Sequence, residues 1–227
     1  MALNDRKESF YALTSFQYIK DITFRRGKRR MIGVYTKNVG GVWFGVACDE
    51  QRVFGTSFAA SEQEALRCLL SGIPFNVPFQ VFLEPSAFAK DVLASVKSVY
   101  DGKGATHGFS LATEHLPAYM RRVLEAASLI PIGYVASYGS IAKAVGGSPR
   151  AVGNVMAINP FAPIVPCHRV VSSDFSLGGY GGGLDVKLGL LRREKRGYAS
   201  PRQIPVDGKK LQVFPVKLVL GKLEREQ

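Results

Sequence analysis

The segment Ser137-Tyr138-Gly139-Ser140-Ile141-Ala142-Lys143-Ala144-Val145-Gly146-Gly147-Ser148-Pro149-Arg150-Ala151-Val152-Gly153-Asn154-Val155-Met156-Ala157-Ile158-Asn159 reads as two short helices joined by a glycine turn. Ser137 and Ser140 offer hydroxyls for an N-cap, and Ile141, Ala142 and Val145 give the first helix an apolar face. Gly146-Gly147 supplies the positive φ that a helix end asks for. Ser148 caps the second helix, with Pro149 at its first position, where a missing N–H does no harm. Arg150 stands at the start of that helix, where free N–H groups and the helix dipole favour a phosphate. Ala151 and Gly153 are small enough to let the backbone approach another surface. The spacing fits a DNA-binding helix-turn-helix, and it also fits a plain helical hairpin.

Charge bears on that choice. The 227 residues carry 30 Lys and Arg against 18 Asp and Glu, a formal charge of +12, which nominates nucleic acid as the first partner. Hydrophobic residues at 46% and charged residues at 21% exclude a disordered chain. Three cysteines in a chain this long exclude a disulfide framework. No apolar run reaches the ~18 residues needed to span a bilayer. Met1 to Lys7 is polar and lacks a signal peptide's apolar stretch. A soluble, intracellular protein without membrane contact is expected.

Outward toward the N-terminus the pattern changes from helical to extended. Met31–Thr36, Val42–Cys48 and Arg52–Phe58 are rich in β-branched and aromatic residues and are broken by Asn38-Val39-Gly40-Gly41 and Asp49-Glu50-Gln51, as in an antiparallel meander. Ser61-Glu62-Gln63-Glu64 spells a capping box and predicts a helix to about Leu70, ending at Gly72. Phe79–Leu83 resembles a further strand, and Pro85 opens a helix along Phe88, Val92, Val96 and Val99. The run Arg25-Arg26-Gly27-Lys28-Arg29-Arg30 suits either phosphate contact or a solvated turn. Asp101-Gly102-Lys103-Gly104-Ala105 is the best linker candidate, and Pro117 starts a helix with Met120, Val123, Leu124 and Ala127 on one face, stopped by Pro131. The expected division is an N-terminal α+β domain over 1–105, a mostly helical domain over 106–197, and an extension over 198–227.

The chemistry centres on one cysteine. Cys48 ends a predicted strand and Cys68 lies in the apolar half of a predicted helix, so both are expected to pack in the core; a pairing between them depends on geometry that the sequence does not give. Cys167 sits in Ile164-Val165-Pro166-Cys167-His168-Arg169-Val170-Val171, between flanks that suit a buried strand or tight turn. A thiol beside an imidazole and a guanidinium can be shifted toward the attacking thiolate, although a structural cysteine fits the same pattern. His107 and His115 are isolated, and no Cys-x-x-Cys or His-x-x-x-His pair occurs, so no metal is expected. Gly178-Gly179-Tyr180-Gly181-Gly182-Gly183 lacks the spacing of a P-loop and instead suggests a loop that hugs a ligand.

Pro166-Cys167-His168-Arg169-Val170 resembles the active-site signature of the O6-alkylguanine-DNA alkyltransferases, the methylated-DNA–protein-cysteine methyltransferases. The resemblance extends through Ile132–Gly139, Arg150–Gly153, Asn159-Pro160, Tyr180–Leu184 and Lys187–Glu194, in the family's order and over roughly Pro117 to Gly197. The N-terminal half fits the family's variable ribonuclease-H-like domain only loosely. The resemblance implies minor-groove binding to double-stranded DNA through a helix-turn-helix, and extrusion of an O6-alkylguanine into a pocket. Arg150 would fill the vacated stack, Tyr138 would help rotate the backbone and bond the base, and Ala151 and Gly153 would give room to the groove wall. Cys167 would take the alkyl group once and irreversibly, after passing its proton through a water to His168 and then Glu194. Asn159 would join the recognition helix to the site, and Val170, Tyr180 and Gly181 would line the pocket. No cofactor and a monomeric state in cytoplasm or nucleus are implied.

The zinc ligands of some relatives are not recognisable, and Gly181 stands where some relatives carry Ser. Residues Tyr198–Gln227 run past the family's usual end, and packing on the domain is favoured there over DNA contact. A non-catalytic damage sensor has no need of a nucleophile with a proton relay. A Cys-His hydrolase would leave Arg150 and the helix pair unexplained.

Overall fold

A computed structural model of the chain describes residues 31–105 and 108–225. The basic run Arg25–Arg30 and His107 lie outside the described residues. The first sheet grows from a hairpin. β1 (Ile32–Val39) pairs antiparallel with β2 (Val42–Cys48), in a register that brings Val39 opposite Val42. Gly40 and Gly41 fill the two-residue turn with φ of 62° and 83°, the conformation a right-twisted hairpin favours and only glycine adopts without strain. β3 (Arg52–Ala59) continues the meander. Asp49 closes its turn by accepting from the Gln51 and Arg52 amides. Two short strands flank these three, β4 (Phe79–Val81) parallel to β1 and β5 (Ser110–Leu111) parallel to β3, giving the order β4-β1-β2-β3-β5.

Helices cover both faces of this sheet. α1 (Glu62–Gly72) is capped by Ser61, whose hydroxyl accepts from the Glu64 amide; it buries Ala65, and packs Leu69 with Ile32, Val34, Ala47 and Phe54. α2 (Ala87–Tyr100) starts two residues after Pro85, because Ser86 caps it, and packs Val92 and Val96 with Phe44, Val46 and Val53 on the opposite face. Cys48 is buried there as expected, whereas Cys68 is exposed: α1 buries only a narrow stripe, and Cys68 falls beside it. All three cysteines are free thiols.

Beyond the first sheet come α3 (Ala118–Ser128), β6 (Tyr134–Ser137), α4 (Tyr138–Val145), α5 (Pro149–Ala157), a 3-10 turn at Cys167–Arg169, β7 (Val170–Val171), α6 (Leu184–Arg193), β8 (Arg202–Val206), β9 (Lys209–Pro215) and α7 (Lys217–Leu223). α3 buries Met120, Val123, Leu124, Ala126 and Ala127. The α4–α5 pair has the predicted caps, with Ser137 accepting from the Ser140 amide and Ser148 from the Ala151 amide. A second sheet, β7-β6-β9-β8, accompanies the helices of the second half, its two longer strands lying past residue 197. The C-terminal extension supplies two of its strands and packs on the domain. Val213–Pro215 are extended as their residue types suggest, but Leu218–Leu220 are helical and bury Val219 and Leu220. The segment read as a linker is held in place: Arg196 donates to the Gly102 carbonyl at 2.6 Å, and β5 returns to the first sheet beyond it.

Gly147 tests the helix turn. Its φ is 89°, and an added Cβ would stand 2.4 Å from the Tyr119 hydroxyl. Gly147→Ala is expected to lower the unfolding free energy by about 1–3 kcal/mol, the usual cost of a non-glycine residue held in that region. Removing the Tyr119 hydroxyl in the same chain should restore only part of the loss. Urea denaturation of the single and double variants measures both.

Candidate active site

The Cys167 turn is fixed from three directions. Asn159, just past the end of α5, donates through Nδ2 to the Val165 carbonyl at 2.8 Å and accepts from the Phe161 amide at 3.0 Å. Phe161 is fully buried, and Thr56 of β3 bonds the Pro160 carbonyl through its amide and the Ala162 carbonyl through its hydroxyl. The first sheet thus grips the strap that leads to the cysteine. The turn itself closes with Cys167 N–H to Val165 O and Arg169 N–H to Pro166 O.

Glu194, at the C-terminal end of α6, lies beneath that turn. It accepts from His168 Nε2 at 3.0 Å, and from Arg169 through Nε at 2.8 Å and Nη2 at 2.7 Å. Arg169 spends its remaining Nη1 on the Ile130 carbonyl at 2.6 Å. His168 and Glu194 are essentially inaccessible to water. Burial pushes the Glu194 carboxyl up, but the His168 and Arg169 donors outweigh it and hold its pKa at about 2. Burial pushes the His168 imidazole below its ordinary value, against the pull of Glu194, so it is neutral at pH 7. An ionised carboxylate only accepts, so the imidazole proton sits on Nε2 and Nδ1 carries the lone pair. That Nδ1 is buried and has no protein partner among the described residues.

The thiol faces the other half of the site. Burial raises the Cys167 pKa, opposed by the Asn159 side chain, the Lys187 charge and the Tyr180 hydroxyl. Lys187 of α6 is fully buried, and its ammonium donates to the carbonyls of Val170, Leu177 and Gly179 at 2.6, 2.6 and 3.3 Å. Its pKa falls to about 8 through burial, and the facing Cys167 works against that fall. The same ammonium lies over the rings of Tyr138 and Tyr180 at 6.0 and 5.9 Å. Tyr138, the first residue of α4, is framed by two glycines. A Cβ on Gly178 would meet its ring at 2.9 Å, and one on Gly153 would reach it at 3.9 Å. Its hydroxyl donates to the Gly179 carbonyl at 3.4 Å.

Cys167, His168, Glu194, Asn159, Val170, Tyr138 and Tyr180 therefore converge. Gly181 is exposed, and a side chain there would meet nothing within 4 Å. Arg150 is exposed at the second position of α5, outside this cluster, with Ala151 beside it half-buried. Sequence reasoning missed the Arg169 fork and the Lys187 clamp. Lys187 was legible in principle, since it shares the apolar stripe of α6 with Leu190 and Leu191 at helical spacing.

A buried thiol beside a neutral imidazole with an open nitrogen and an ionised carboxylate defines a protein with one buried cysteine that has a proton acceptor at hand, on an α+β scaffold. Residues 118–196 match the family model described as 6-O-methylguanine DNA methyltransferase, DNA binding domain. A methylated-DNA–protein-cysteine methyltransferase of Methanothermobacter thermautotrophicus is 39% identical over 111 residues, 48% of this chain and 63% of that protein. The chain thus spans just under two thirds of that relative's length. The corresponding protein of Thermococcus gammatolerans is 34% identical over 171 residues, 72% of this chain and 96% of the relative. The Mycobacterium tuberculosis protein OGT, solved in complex with DNA, superposes with a TM-score of 0.58 at 27% identity, covering 72% of this chain and 92% of its own. The chain belongs to the methylated-DNA–protein-cysteine methyltransferase family.

The buried triad sets an acid response. His168 and Glu194 both have folded-state pKa values below their ordinary ones, so the unfolded chain binds more protons on acidification and stability falls. The His168 contribution is lost as pH drops below about 6.5. The Glu194 contribution is complete above its ordinary pKa of 4.5 and is lost toward about 2, amounting to about 3 kcal/mol. Unfolding free energy measured from pH 7 to 3 should fall in two stages, and Glu194→Gln should flatten the second.

Proposed function

We propose that this protein repairs DNA by direct reversal, moving an alkyl group from guanine O6 to Cys167 once per molecule. The observation that carries this reading is the open Nδ1 of a neutral, buried His168 next to Cys167, its other nitrogen fixed by ionised Glu194. A bridging water would let Nδ1 take the thiol proton. The thiolate then attacks the alkyl carbon in line: the S–C bond forms, the C–O6 bond breaks, and its electron pair stays on O6. Lys187 lends positive charge to the site as negative charge passes from sulfur to the departing guanine. A thioether has no comparable leaving group, so Cys167 is consumed.

Delivery of the base falls to the α4–α5 pair, read as a helix-turn-helix with α5 in the minor groove. Arg150 is exposed and free to enter the stack vacated by the flipped nucleotide. Tyr138, poised between Gly153 and the Gly178–Gly179 loop, would contact the extruded base, and the small Ala151 and Gly153 would admit the groove wall. Val170, Tyr180 and Gly181 would line the pocket. The domain over 1–105, with its antiparallel meander and parallel β4, is in keeping with a ribonuclease-H-like support. Double-stranded DNA is the partner, without cofactor or metal, and the protein acts as a monomer in cytoplasm or nucleus. Among the described residues no helix is long and apolar enough to cross a membrane.

Incubation with a duplex containing labelled O6-methylguanine should transfer the label stoichiometrically to Cys167. Cys167→Ala should abolish transfer while DNA binding persists; intact binding with no transfer by the natural chain would sink the reading. Arg150→Ala should slow transfer from duplex far more than transfer from free O6-benzylguanine, and equal losses would refute a flipping role. Gly153→Ala separates packing from function. Within a helix it should hold or raise stability, by about 0.5–1 kcal/mol. On duplex it should weaken binding, read by anisotropy of a labelled oligonucleotide.

A further inference from the structure

The loop from Ser172 to Tyr180 joins β7 to the pocket, and the residues that hold its outer side come from the C-terminal extension. Phe175 has φ of 66°. A bulky residue keeps that conformation only where its surroundings over-determine it. Within the loop, Asp174 accepts from the Ser176 amide and hydroxyl at 3.1 and 2.8 Å, and the Ser172 amide donates to the Ser176 carbonyl. Two further contacts come from the tail. Lys222 of α7 donates to the Asp174 carboxylate at 2.6 Å and to its carbonyl at 3.1 Å. The Phe175 ring meets Phe214 of β9 edge to face, with centroids 5.2 Å apart.

Below these, Leu177 packs with Val216, Val219 and Leu220. Immediately beyond, Leu177 and Gly179 give their carbonyls to Lys187, and Tyr180 brings its hydroxyl to Cys167. An exposed ion pair alone contributes little. Here it is joined to an aromatic contact and an apolar cluster, all on one loop, and all from residues beyond the 118–196 span that matches the family.

We propose that residues 198–225 act as a positioning clamp on the pocket loop, with Phe214 and Lys222 setting where Tyr180 stands over Cys167 and so how large an alkyl group the pocket accepts. The specificity part rests on the alkyl-transfer reading; the clamp itself rests on geometry alone. The test uses the full chain with Phe214→Ala, Lys222→Ala, Lys222→Arg and a control, Leu211→Ala. Leu211 is a fully buried tail residue that belongs to a different apolar cluster from Phe175 and Leu177.

Hydrogen exchange at the amides of 177–183 reads the clamp without any activity. It should quicken by about two- to tenfold in Phe214→Ala and Lys222→Ala, the range an aromatic contact supports. Lys222→Arg should restore it, and the control should leave it unchanged. Single-turnover rates from O6-methylguanine duplex and free O6-benzylguanine read the consequence. The ratio of benzyl to methyl transfer should shift in the two loop variants and hold in the control. Natural exchange rates in both loop variants, or the same change in the control, would overturn the clamp. Quickened exchange with an unaltered ratio would overturn its role in specificity. A natural chain that transfers neither group sinks the alkyl-transfer reading and the specificity role with it, while the exchange data still decide the clamp.

Discussion

The carboxylate of Glu194 is the constraint on which the site depends. It is buried, ionised and held by three hydrogen bonds from two residues of the Cys167 turn. A lone carboxylate at that depth would be strongly disfavoured, so the fork of Arg169 and the imidazole of His168 are requirements of its burial as much as of any chemistry. Through that one group the end of α6 is fixed to the cysteine turn, and through the Ile130 carbonyl the turn is fixed to the end of α3. Removing any member leaves a charge or donor stranded. The same pairing decides the imidazole tautomer, which links stability to reactivity: the contact that holds the fold also leaves Nδ1 as the acceptor.

The thiol itself is held back. Burial dominates its pKa, and the neighbours that favour thiolate, Asn159, Lys187 and Tyr180, reduce that effect without reversing it. On the alkyl-transfer reading the nucleophile is spent only once, and a resting thiol is then an advantage, because small oxidants and alkylating agents react with thiolate. Activation then requires that the substrate be seated and the proton be drawn away. Lys187 supports this arrangement. Its charge lies among three carbonyls, with no carboxylate paired to it among the described residues, so the positive potential stays available to the reacting atoms.

The sequence showed the local features and missed the long-range ones. The meander, the Ser61 cap, the α3 stripe and the α4–α5 pair were legible because each follows from neighbours a few residues apart. Gly146 and Gly147 adopt the positive φ their position asks for. β6 and β7 were not legible. They are two to four residues long, and β6 pairs with β7 at a separation of 34 residues and with β9 some eighty residues downstream. Leu218–Leu220 has strand composition, yet it folds as a helix because its apolar side meets Val135 and Leu191. Cys68 was misplaced for a related reason, since helical periodicity gives a stripe but not its width. In the site, Cys167, His168 and Glu194 came from a motif, whereas the Arg169 fork needed a tertiary partner 25 residues away to acquire meaning.

The basic balance of the chain and its chemistry are spatially separate. Arg121, Arg122, Lys143 and Arg150 are exposed on α3, α4 and the start of α5, where the field of each reaches solvent. The interior of the site holds charges that are almost all committed to partners, with Lys187 bound only to carbonyls. Exposed cations attract any phosphate backbone and lose that attraction as salt screens them. They cannot distinguish a damaged base from a sound one. On the alkyl-transfer reading, discrimination falls to the buried side chains around Cys167, which include a cation that salt does not reach. Raising ionic strength should therefore weaken capture of DNA while leaving attack on a free base nearly unchanged, because the two steps draw on different parts of the same +12.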